Sequence, residues 1–195
     1  MFSIEEIRDR LRARPVALEE PEDRSLAAVA LVVCDEGSGP EVLFIRRTEH
    51  EQDPWSGHLG FPGGRVDGAD PGPREAAERE TREEVGLTLA APEYLGRIDD
   101  LSGAHFPIVI SCFVYGLCHR PVLTLEEREV ADAFWFPLRE LLAPERRREH
   151  AYQFRGEDLS HPAIQLLDEG RPHLWGITYR LVSRFLEVMG TPLPG

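Results

Sequence analysis

Residues 25–34, SLAAVALVVC, form an almost unbroken apolar run, and this run constrains the fold more than any other stretch of the chain. Its length and its content of Val and Leu predict a strand that is buried on both faces. A strand of this kind lies inside a sheet with other layers above and below it. The rest of the chain therefore has to supply those layers.

Further strands are predicted by segments rich in β-branched and aromatic residues. Turn-forming residues separate the first two strands, and a long segment dense in Gly, Pro and Asp follows the second. EHAYQFRG and HPAIQLL predict a late two-stranded ribbon, whereas RRREH at residues 146–150 predicts a solvated helix face. The additional strands are expected at residues 41–47, 93–101, 106–118 and 129–138.

Helices are predicted near both ends of the chain. Ile4, Ile7 and Leu11 recur at helical spacing, and Pro15 ends that helix. The segment WGITYRLVSRFLEVM at residues 175–189 predicts an amphipathic terminal helix.

Strands and helices that alternate in this way predict an α/β fold with a mixed β-sheet. The 195 residues, 42% of them hydrophobic, suit one globular domain. We therefore expect an N-terminal helical extension at residues 1–24 and a single domain at residues 25–190.

The best-specified helix lies at residues 73–85. Pro73 suits the first turn of a helix, and Gly86 suits a left-handed cap at its end. The spacing predicts that Ala77, Thr81 and Val85 face the core.

Three carboxylates, those of Glu80, Glu83 and Glu84, border this apolar stripe within an arc of about 100°. The helix dipole disfavours an anion in the last turn by about 0.3–1 kcal/mol, and mutual repulsion adds about 2–3 kcal/mol per pair. A bound divalent cation would reverse both effects, because hard cations prefer oxygen ligands. The alternative is a solvated acidic face with Arg79 and Arg82 as counter-ions.

A pair of glycines, Gly63 and Gly64, precedes the helix in the segment FPGG. Glycines let the backbone approach a ligand closely, so the Gly64 carbonyl is a candidate metal ligand opposite the helix.

The segment GGRVDGADPGPREAAERETREEVGL, residues 63–87, resembles the Nudix box, G-x5-E-x7-R-E-U-x-E-E-x-G-U with U aliphatic. Gly64, Arg79-Glu80, Glu83-Glu84 and Gly86-Leu87 fit this box. Asp70 replaces the first Glu, one extra residue precedes Arg79, and Thr81 replaces the aliphatic residue. The resemblance implies a Nudix hydrolase with an α/β/α sandwich, which hydrolyses a nucleoside diphosphate linked to another group.

The extra residue, Asp70 and the preceding FPGG are similar to the box of coenzyme A pyrophosphatases. An upstream signature of those enzymes differs here, since Asp53 stands at its second Arg position and Arg46 and Arg47 lie early for its first. The resemblance implies coenzyme A or an acyl derivative as substrate, with phosphopantetheine and adenosine 3',5'-bisphosphate as products. ADP-ribose, a nucleoside triphosphate or a dinucleotide is the alternative substrate, and a non-catalytic nucleotide-binding module is the alternative class.

The resemblance also implies roles for the residues of the box. Glu83 and Glu84 are expected to be the principal ligands of Mg²⁺ or Mn²⁺, with the Gly64 carbonyl as a backbone ligand. Glu80 is expected to be a further ligand or to position the attacking water, and Arg79 to orient Glu80. The box leaves the general base open, and the candidates are Glu126, Glu127 and Glu129.

Substrate contacts are predicted in the loop before the helix. Arg46, Arg47 and Arg65 are candidates for phosphate binding, with ordinary surface ion pairs as the alternative. Trp55 and His58 are candidates for contact with an adenine or pantetheine group, with packing beneath the loop as the alternative.

The formal net charge of -13 disfavours nucleic acid as a partner, because the phosphate backbone would be repelled. No apolar run approaches the 18 residues of a membrane span, and the N-terminus does not resemble a signal peptide. We expect a cytoplasmic protein that binds a small nucleotide diphosphate. The apolar terminal helix is a possible homodimer interface.

Overall fold

The computed structural model describes residues 2–50, 56–90, 93–103 and 106–194. Two short 3₁₀ helices, Leu138–Leu142 and Pro144–Arg146, connect the last strand of the main sheet to a separate ribbon. In chain order the helices and strands are α1 (Ile4–Arg12), β1 (Ser25–Cys34), β2 (Glu41–Arg47), β3 (Leu59–Gly60), β4 (Gly63–Arg65), α2 (Pro73–Val85), β5 (Tyr94–Arg97), β6 (Leu101–Ser102), β7 (Ile108–Leu117), β8 (Val130–Pro137), β9 (Arg147–Phe154), β10 (Glu157–Ile164) and α3 (Gly176–Val188).

Strand β1 lies at the centre of an eight-stranded sheet. It runs parallel to β7 along its whole length and antiparallel to β2 and β4. On the far side of β2, strands β3 and β8 add antiparallel pairs. The sheet is therefore mixed, and the predicted fold class is confirmed.

Both faces of the sheet are covered by helices, as the apolar run of β1 requires. Alternate β1 residues enter two separate cores, with Leu31 and Val33 on one face and Ala30 and Val32 on the other. Helices α1 and α3 pack in the first core, and α2 packs in the second. The result is an α/β/α sandwich in which most of β1 is buried.

The N-terminal helix α1 packs closely on the sheet edge. Ser3 and Glu6 form a reciprocal capping box at its start. A Cβ atom at Gly96, which has φ 154°, would lie 2.9 Å from the Cβ of Leu11. Glycine at this position thus allows α1 to approach β5, and the predicted N-terminal helix is confirmed.

Two sequence predictions need correction in detail. The strand predicted over residues 93–101 is divided into β5 and β6, because the segment between them carries Asp99 and Asp100, which bind the N-terminal segment. The helix face predicted at RRREH is wrong, because residues from Arg147 onward pair with β10. The predicted two-stranded ribbon is confirmed, and it consists of β9 and β10.

Within the described residues, no helix is both long enough and apolar enough to cross a membrane.

Candidate active site

Helix α2 carries the acidic side chains of the site, and its two ends are set by local sequence. Pro73 occupies its first turn, and Gly86 ends it in the left-handed conformation with φ 70°. The predicted bounds and the predicted buried stripe are both observed, since Ala77, Thr81 and Val85 are buried. The helix therefore presents its carboxylates at a fixed rotation relative to the sheet.

Glu84 is a buried carboxylate beside this stripe, with only 1% of its side chain exposed. Its Oε2 accepts a hydrogen bond of 2.9 Å from the Gly63 N–H, and its Oε1 lies 3.4 Å from Nη1 of Arg47. Burial raises the pKa of Glu84 to about 8, although both of these contacts act against the rise. Burial therefore disfavours the charged form of Glu84, and a nearby positive charge would stabilise that form.

Glu80 lies one helical turn earlier, against the diglycine backbone. A Cβ atom at Gly64 would lie 2.5 Å from the carboxylate carbon of Glu80. Burial raises the pKa of Glu80, whereas the neighbouring Arg79 lowers it. Glycine at position 64 therefore makes room for the carboxylate.

A third carboxylate reaches the same point from another part of the chain. One carboxylate oxygen each from Glu80, Glu84 and Glu129 lies within 4.8 Å of the others. Glu129 directly precedes β8, and its carbonyl accepts a hydrogen bond of 2.9 Å from the Thr48 N–H beside β2. We refer to these three side chains as the carboxylate cluster.

The carboxylate cluster fits a hard divalent cation. Oxygen ligands, close convergence and a buried acid with a raised pKa are the features that a cation such as Mg²⁺ stabilises. The Gly63 N–H holds Glu84 by a hydrogen bond, and Arg79 holds Glu80 in the same way.

Arg79 organises the outer side of the cluster. Its guanidinium donates to Oε1 of Glu80 and Oε2 of Glu83, each at 2.9 Å, and to the Arg65 carbonyl at 3.2 Å. Its Nε and Nη2 form a bidentate pair with Asp70, with both distances 2.9 Å. The pair lowers the pKa of Asp70 to about 2. Asp70 replaces the first Glu of the box and lies one residue further from Arg79 than that Glu would. It nevertheless holds Arg79 through this bidentate pair.

The structure brings only some of the other sequence-predicted residues to the cluster. The Glu83 carboxylate is 52% exposed and lies on Arg79, outside the carboxylate cluster. Glu126 and Glu127 are exposed in the turn before Glu129 and are not members of the cluster.

The predicted phosphate-binding and aromatic residues lie in different places. Arg47 contacts the cluster through Glu84, whereas the exposed Arg65 contributes its carbonyl to Arg79. Arg46 and His58 line a groove that contains no residue of the cluster. Trp55 lies outside the described residues.

Sequence reasoning missed the partners of His58. Its ring lies 4.9 Å from that of Trp175, which also stacks on His150 at 4.1 Å. These residues come from β9 and from the loop before α3. His150 and Trp175 are far from His58 along the chain, so no short sequence motif could have predicted that the three rings meet.

The fold and the carboxylate cluster define a member of the NUDIX domain family. The family model for the NUDIX domain matches residues 24–155, which is more than half of the chain. The chain belongs to this family, and the resemblance found in the box is confirmed.

Individual relatives show how far the similarity extends. An uncharacterised protein of Schizosaccharomyces pombe is 40% identical over 115 residues, 55% of this chain, and the chain spans 35% of that protein's length. A mitochondrial coenzyme A diphosphatase of Homo sapiens is 26% identical over 181 residues, covering 92% of this chain and 72% of that protein. A crystal structure of a MutT/nudix family protein from Enterococcus faecalis has a TM-score of 0.58 and 18% identity, with 97% of this chain and 75% of that chain covered, and supports the fold.

Proposed function

We propose that the chain is a divalent-cation-dependent hydrolase of the diphosphate bond in nucleoside diphosphate derivatives. The observation that carries the proposal is the convergence of Glu80, Glu84 and Glu129 within 4.8 Å. Membership of the NUDIX domain family supports the same activity. In a chain with a net charge of -13, bound cations would favour the binding of an anionic substrate, and the carboxylate cluster is where such cations would be held.

Mg²⁺ or Mn²⁺ is the proposed cation. Glu80 and Glu84 of the carboxylate cluster would hold it, with Glu83 and the Gly64 carbonyl as further proposed ligands. When bound, such a cation neutralises diphosphate charge and lowers the pKa of water.

The protein's own side chains then have separate tasks. The Gly63 N–H and Arg47 fix Glu84, and Arg79 holds Glu80 in place through a guanidinium anchored on Asp70. The cationic side chain of Arg47 also offers a donor to a phosphate oxygen beside the cluster.

Glu129 is our candidate for the general base. It is the exposed member of the cluster, so water reaches its carboxylate directly. In the proposed step, the oxygen of a water molecule bonds to phosphorus, Glu129 accepts the proton of that water, and the bridging P–O bond breaks. The leaving phosphate takes the electron pair of that bond.

Coenzyme A or an acyl derivative is the proposed substrate. The form of the box and the human mitochondrial coenzyme A diphosphatase support this choice. ADP-ribose, nucleoside triphosphates and dinucleotides are the competing substrates of the same chemistry.

A substrate panel tests the proposal. Coenzyme A, acetyl-coenzyme A, ADP-ribose, a nucleoside triphosphate and a dinucleoside polyphosphate are each incubated with Mg²⁺, Mn²⁺ or EDTA, and the products are identified by mass spectrometry. We expect phosphopantetheine and adenosine 3',5'-bisphosphate from coenzyme A, in the presence of metal and not in EDTA. The Glu84→Gln variant is the control for contaminating activity.

The possible outcomes separate the alternatives. Hydrolysis of another substrate without coenzyme A would retain the hydrolase and reject the substrate. Binding of nucleotides without turnover of any compound would point to the non-catalytic module and reject the proposed activity.

A further inference from the structure

Glu129 differs from the other members of the carboxylate cluster in the way its carboxylate is held. The Gly63 N–H bonds to the carboxylate of Glu84, and Arg79 bonds to that of Glu80. Within the part of the chain that the structure describes, no hydrogen bond or ion pair holds the carboxylate of Glu129. The position of this side chain therefore depends on the backbone that carries it.

That backbone is a loop before β8, residues 124–129, which we call the base loop. The start of the base loop is bound to α2. The N–H groups of Thr124 and Glu126 donate to the carbonyls of Val85 and Glu84, both at 2.9 Å. These carbonyls belong to the last turn of the helix, where the helix itself offers them no donor. The first half of the base loop is thus fixed to the helix that carries the other two carboxylates.

The second half of the base loop is bound by the segment that follows β2. The Thr48 hydroxyl donates to the Glu127 carbonyl at 3.1 Å, and Nε2 of His50 donates to the Arg128 carbonyl at 3.3 Å. The Thr48 N–H donates to the Glu129 carbonyl at 2.9 Å. Two residues therefore bind three consecutive carbonyls, the last of which is that of Glu129. We refer to Thr48 and His50 as the carbonyl clasp.

Strand pairing fixes the point at which the base loop enters β8. Arg46 pairs with Asp132, but Arg47 pairs with Val130, so β8 contains one extra residue at this point. Val130 and Ala133 both pack in the second core although they are three residues apart, which the alternation of a regular strand would not allow. A bulge of this kind redirects side chains, and this one lies directly beside Glu129.

We infer that Thr48 and His50 are positioning residues, which place the Glu129 carboxylate in the cluster by holding the backbone of the base loop. The inference rests on the proposed function and deepens it, because it adds two residues that act on the reaction through Glu129. A general base has to lie within hydrogen-bond reach of the attacking water, and a displacement of about 1 Å can cost about hundredfold in rate. The carbonyl clasp should therefore affect turnover, and not the binding of a cation by Glu80 and Glu84.

A double-mutant cycle of Thr48→Val and Glu129→Gln tests the inference in the full chain. Valine is similar in shape to threonine and keeps the backbone N–H, but it removes the hydroxyl bond to Glu127. With the compound of the substrate panel that the wild type hydrolyses fastest, we expect Thr48→Val to lower kcat about tenfold and to leave KM nearly unchanged. In the Glu129→Gln background the same substitution should have no further effect, because the group that it positions is absent.

Conservative variants and metal binding provide further readouts. Thr48→Ser keeps a hydroxyl and should retain most of the wild-type kcat. His50→Gln keeps a side-chain N–H, and should retain more of the wild-type kcat than His50→Leu, which has none. Titration with Mn²⁺ should give the wild-type affinity in all of these position 48 and 50 variants.

Thr191→Val is the matched control. The Thr191 hydroxyl also donates to a backbone carbonyl, that of Leu186 at 3.5 Å, but it lies beyond the end of α3 and outside the site. This variant should keep the wild-type kcat. Its change in melting temperature gives the structural cost of removing a hydroxyl of this kind.

The outcomes separate this inference from the proposed function. Wild-type turnover of a diphosphate, together with an unchanged kcat in Thr48→Val, would reject the role of the carbonyl clasp and leave the hydrolase in place. An equal loss of kcat from Thr48→Val in the wild-type and Glu129→Gln backgrounds would also overturn the inference, because Thr48 would then act without Glu129. Weakened Mn²⁺ binding in Thr48→Val would overturn it in the same way. If the wild type hydrolysed no compound of the panel, the proposed function would be rejected and this inference with it.

Discussion

The carboxylate of Glu80 occupies the space where Gly64 would carry a side chain. A Cβ atom at Gly64 would lie 2.5 Å from the carboxylate carbon and 2.6 and 2.8 Å from the two oxygens. The backbone of residue 64 and the position of this acid are thus coupled directly. The neighbouring Gly63 has a different constraint, since its Cβ atom would lie 2.3 Å from the Ala28 carbonyl oxygen.

Gly64→Ala should impair catalysis more than folding. The new methyl group displaces the end of a flexible side chain, which the fold tolerates, but it moves Glu80 away from the cluster. We expect turnover to fall about hundredfold, because misplaced catalytic groups lose much of their effect. The melting temperature and kcat, measured on the same preparation, check this expectation. Wild-type kcat in a folded Gly64→Ala protein would contradict it.

Gly63→Ala provides the contrast. Its methyl group would meet the backbone of Ala28 and Val29, at a φ of 150° that side chains rarely adopt. We expect a loss of about 2–4 kcal/mol in the free energy of unfolding. Denaturant unfolding measures this loss, and an equal stability of the two alanine variants would show that the glycines do not have separate roles.

Glu84→Gln and Glu83→Gln should separate the buried acid from the exposed one. Glu84 belongs to the carboxylate cluster, whereas Glu83 lies on Arg79. We expect Glu84→Gln to lower kcat/KM about hundredfold or more and to weaken Mn²⁺ binding, since a lost metal ligand removes several kcal/mol of transition-state stabilisation. Glu83→Gln should cost about tenfold, as for a supporting group. Kinetics and Mn²⁺ titration measure both.

The role of Glu84 can also be tested through the thermal stability of the Glu84→Gln variant. Without added metal, burial raises the pKa of Glu84 to about 8 and so favours its neutral form at pH 7. The neutral amide of Glu84→Gln resembles that form, so its thermal midpoint should equal or exceed that of the wild type. A marked loss of stability in metal-free Glu84→Gln would show that Glu84 is a structural acid.

Glu129→Gln tests the base. We expect a fall in kcat of about 10²–10⁴, the usual contribution of a general base. Glu126→Gln and Glu127→Gln are the matched controls, because these exposed neighbours lie outside the carboxylate cluster. Steady-state kinetics on all three variants decides the assignment. If Glu127→Gln were inactive and Glu129→Gln were active, the assignment of Glu129 as the general base would be rejected.

Local signals explain why α2 could be predicted from sequence. Pro73 and Gly86 act through their own backbone preferences, and the helical period places Val85 toward the core. The strands β1 and β2 were likewise predicted to the residue, because their apolar runs end at turn-forming residues. Each of these features depends on a few consecutive residues.

Features that depend on distant segments could not be predicted in the same way. Glu126, Glu127 and Glu129 are equivalent in local sequence, and the bond from Thr48 to the Glu129 carbonyl is what brings one of them to the cluster. RRREH has the charge pattern of a solvated helix, but pairing with β10 makes it a strand. The stacking of His150 on Trp175 depends on the ribbon meeting the loop before α3.

Asp99 should give the fold a pH dependence that is separate from catalysis. Its carboxylate accepts hydrogen bonds from Arg14, from the Ala17 N–H at 2.8 Å and from Nε of Arg184 at 2.6 Å. It therefore joins the N-terminal segment and α3 to the sheet. Burial favours the neutral acid, but these hydrogen bonds outweigh burial and lower the pKa of Asp99 below its usual value.

Asp99→Asn should therefore cost about 2 kcal/mol of unfolding free energy at neutral pH, the scale of hydrogen bonds to a charged group. A lowered folded-state pKa means that the charged form contributes its stability above the unfolded-state pKa of about 3.9 and loses it as the pH falls through the folded-state value. The difference between wild type and variant should stay constant from pH 5 to 8 and narrow below about pH 4. Urea unfolding at pH 7, 5 and 3.5 measures it. A difference that instead grew at acid pH would contradict the assignment, because it would require a group that stabilises the fold in its protonated form.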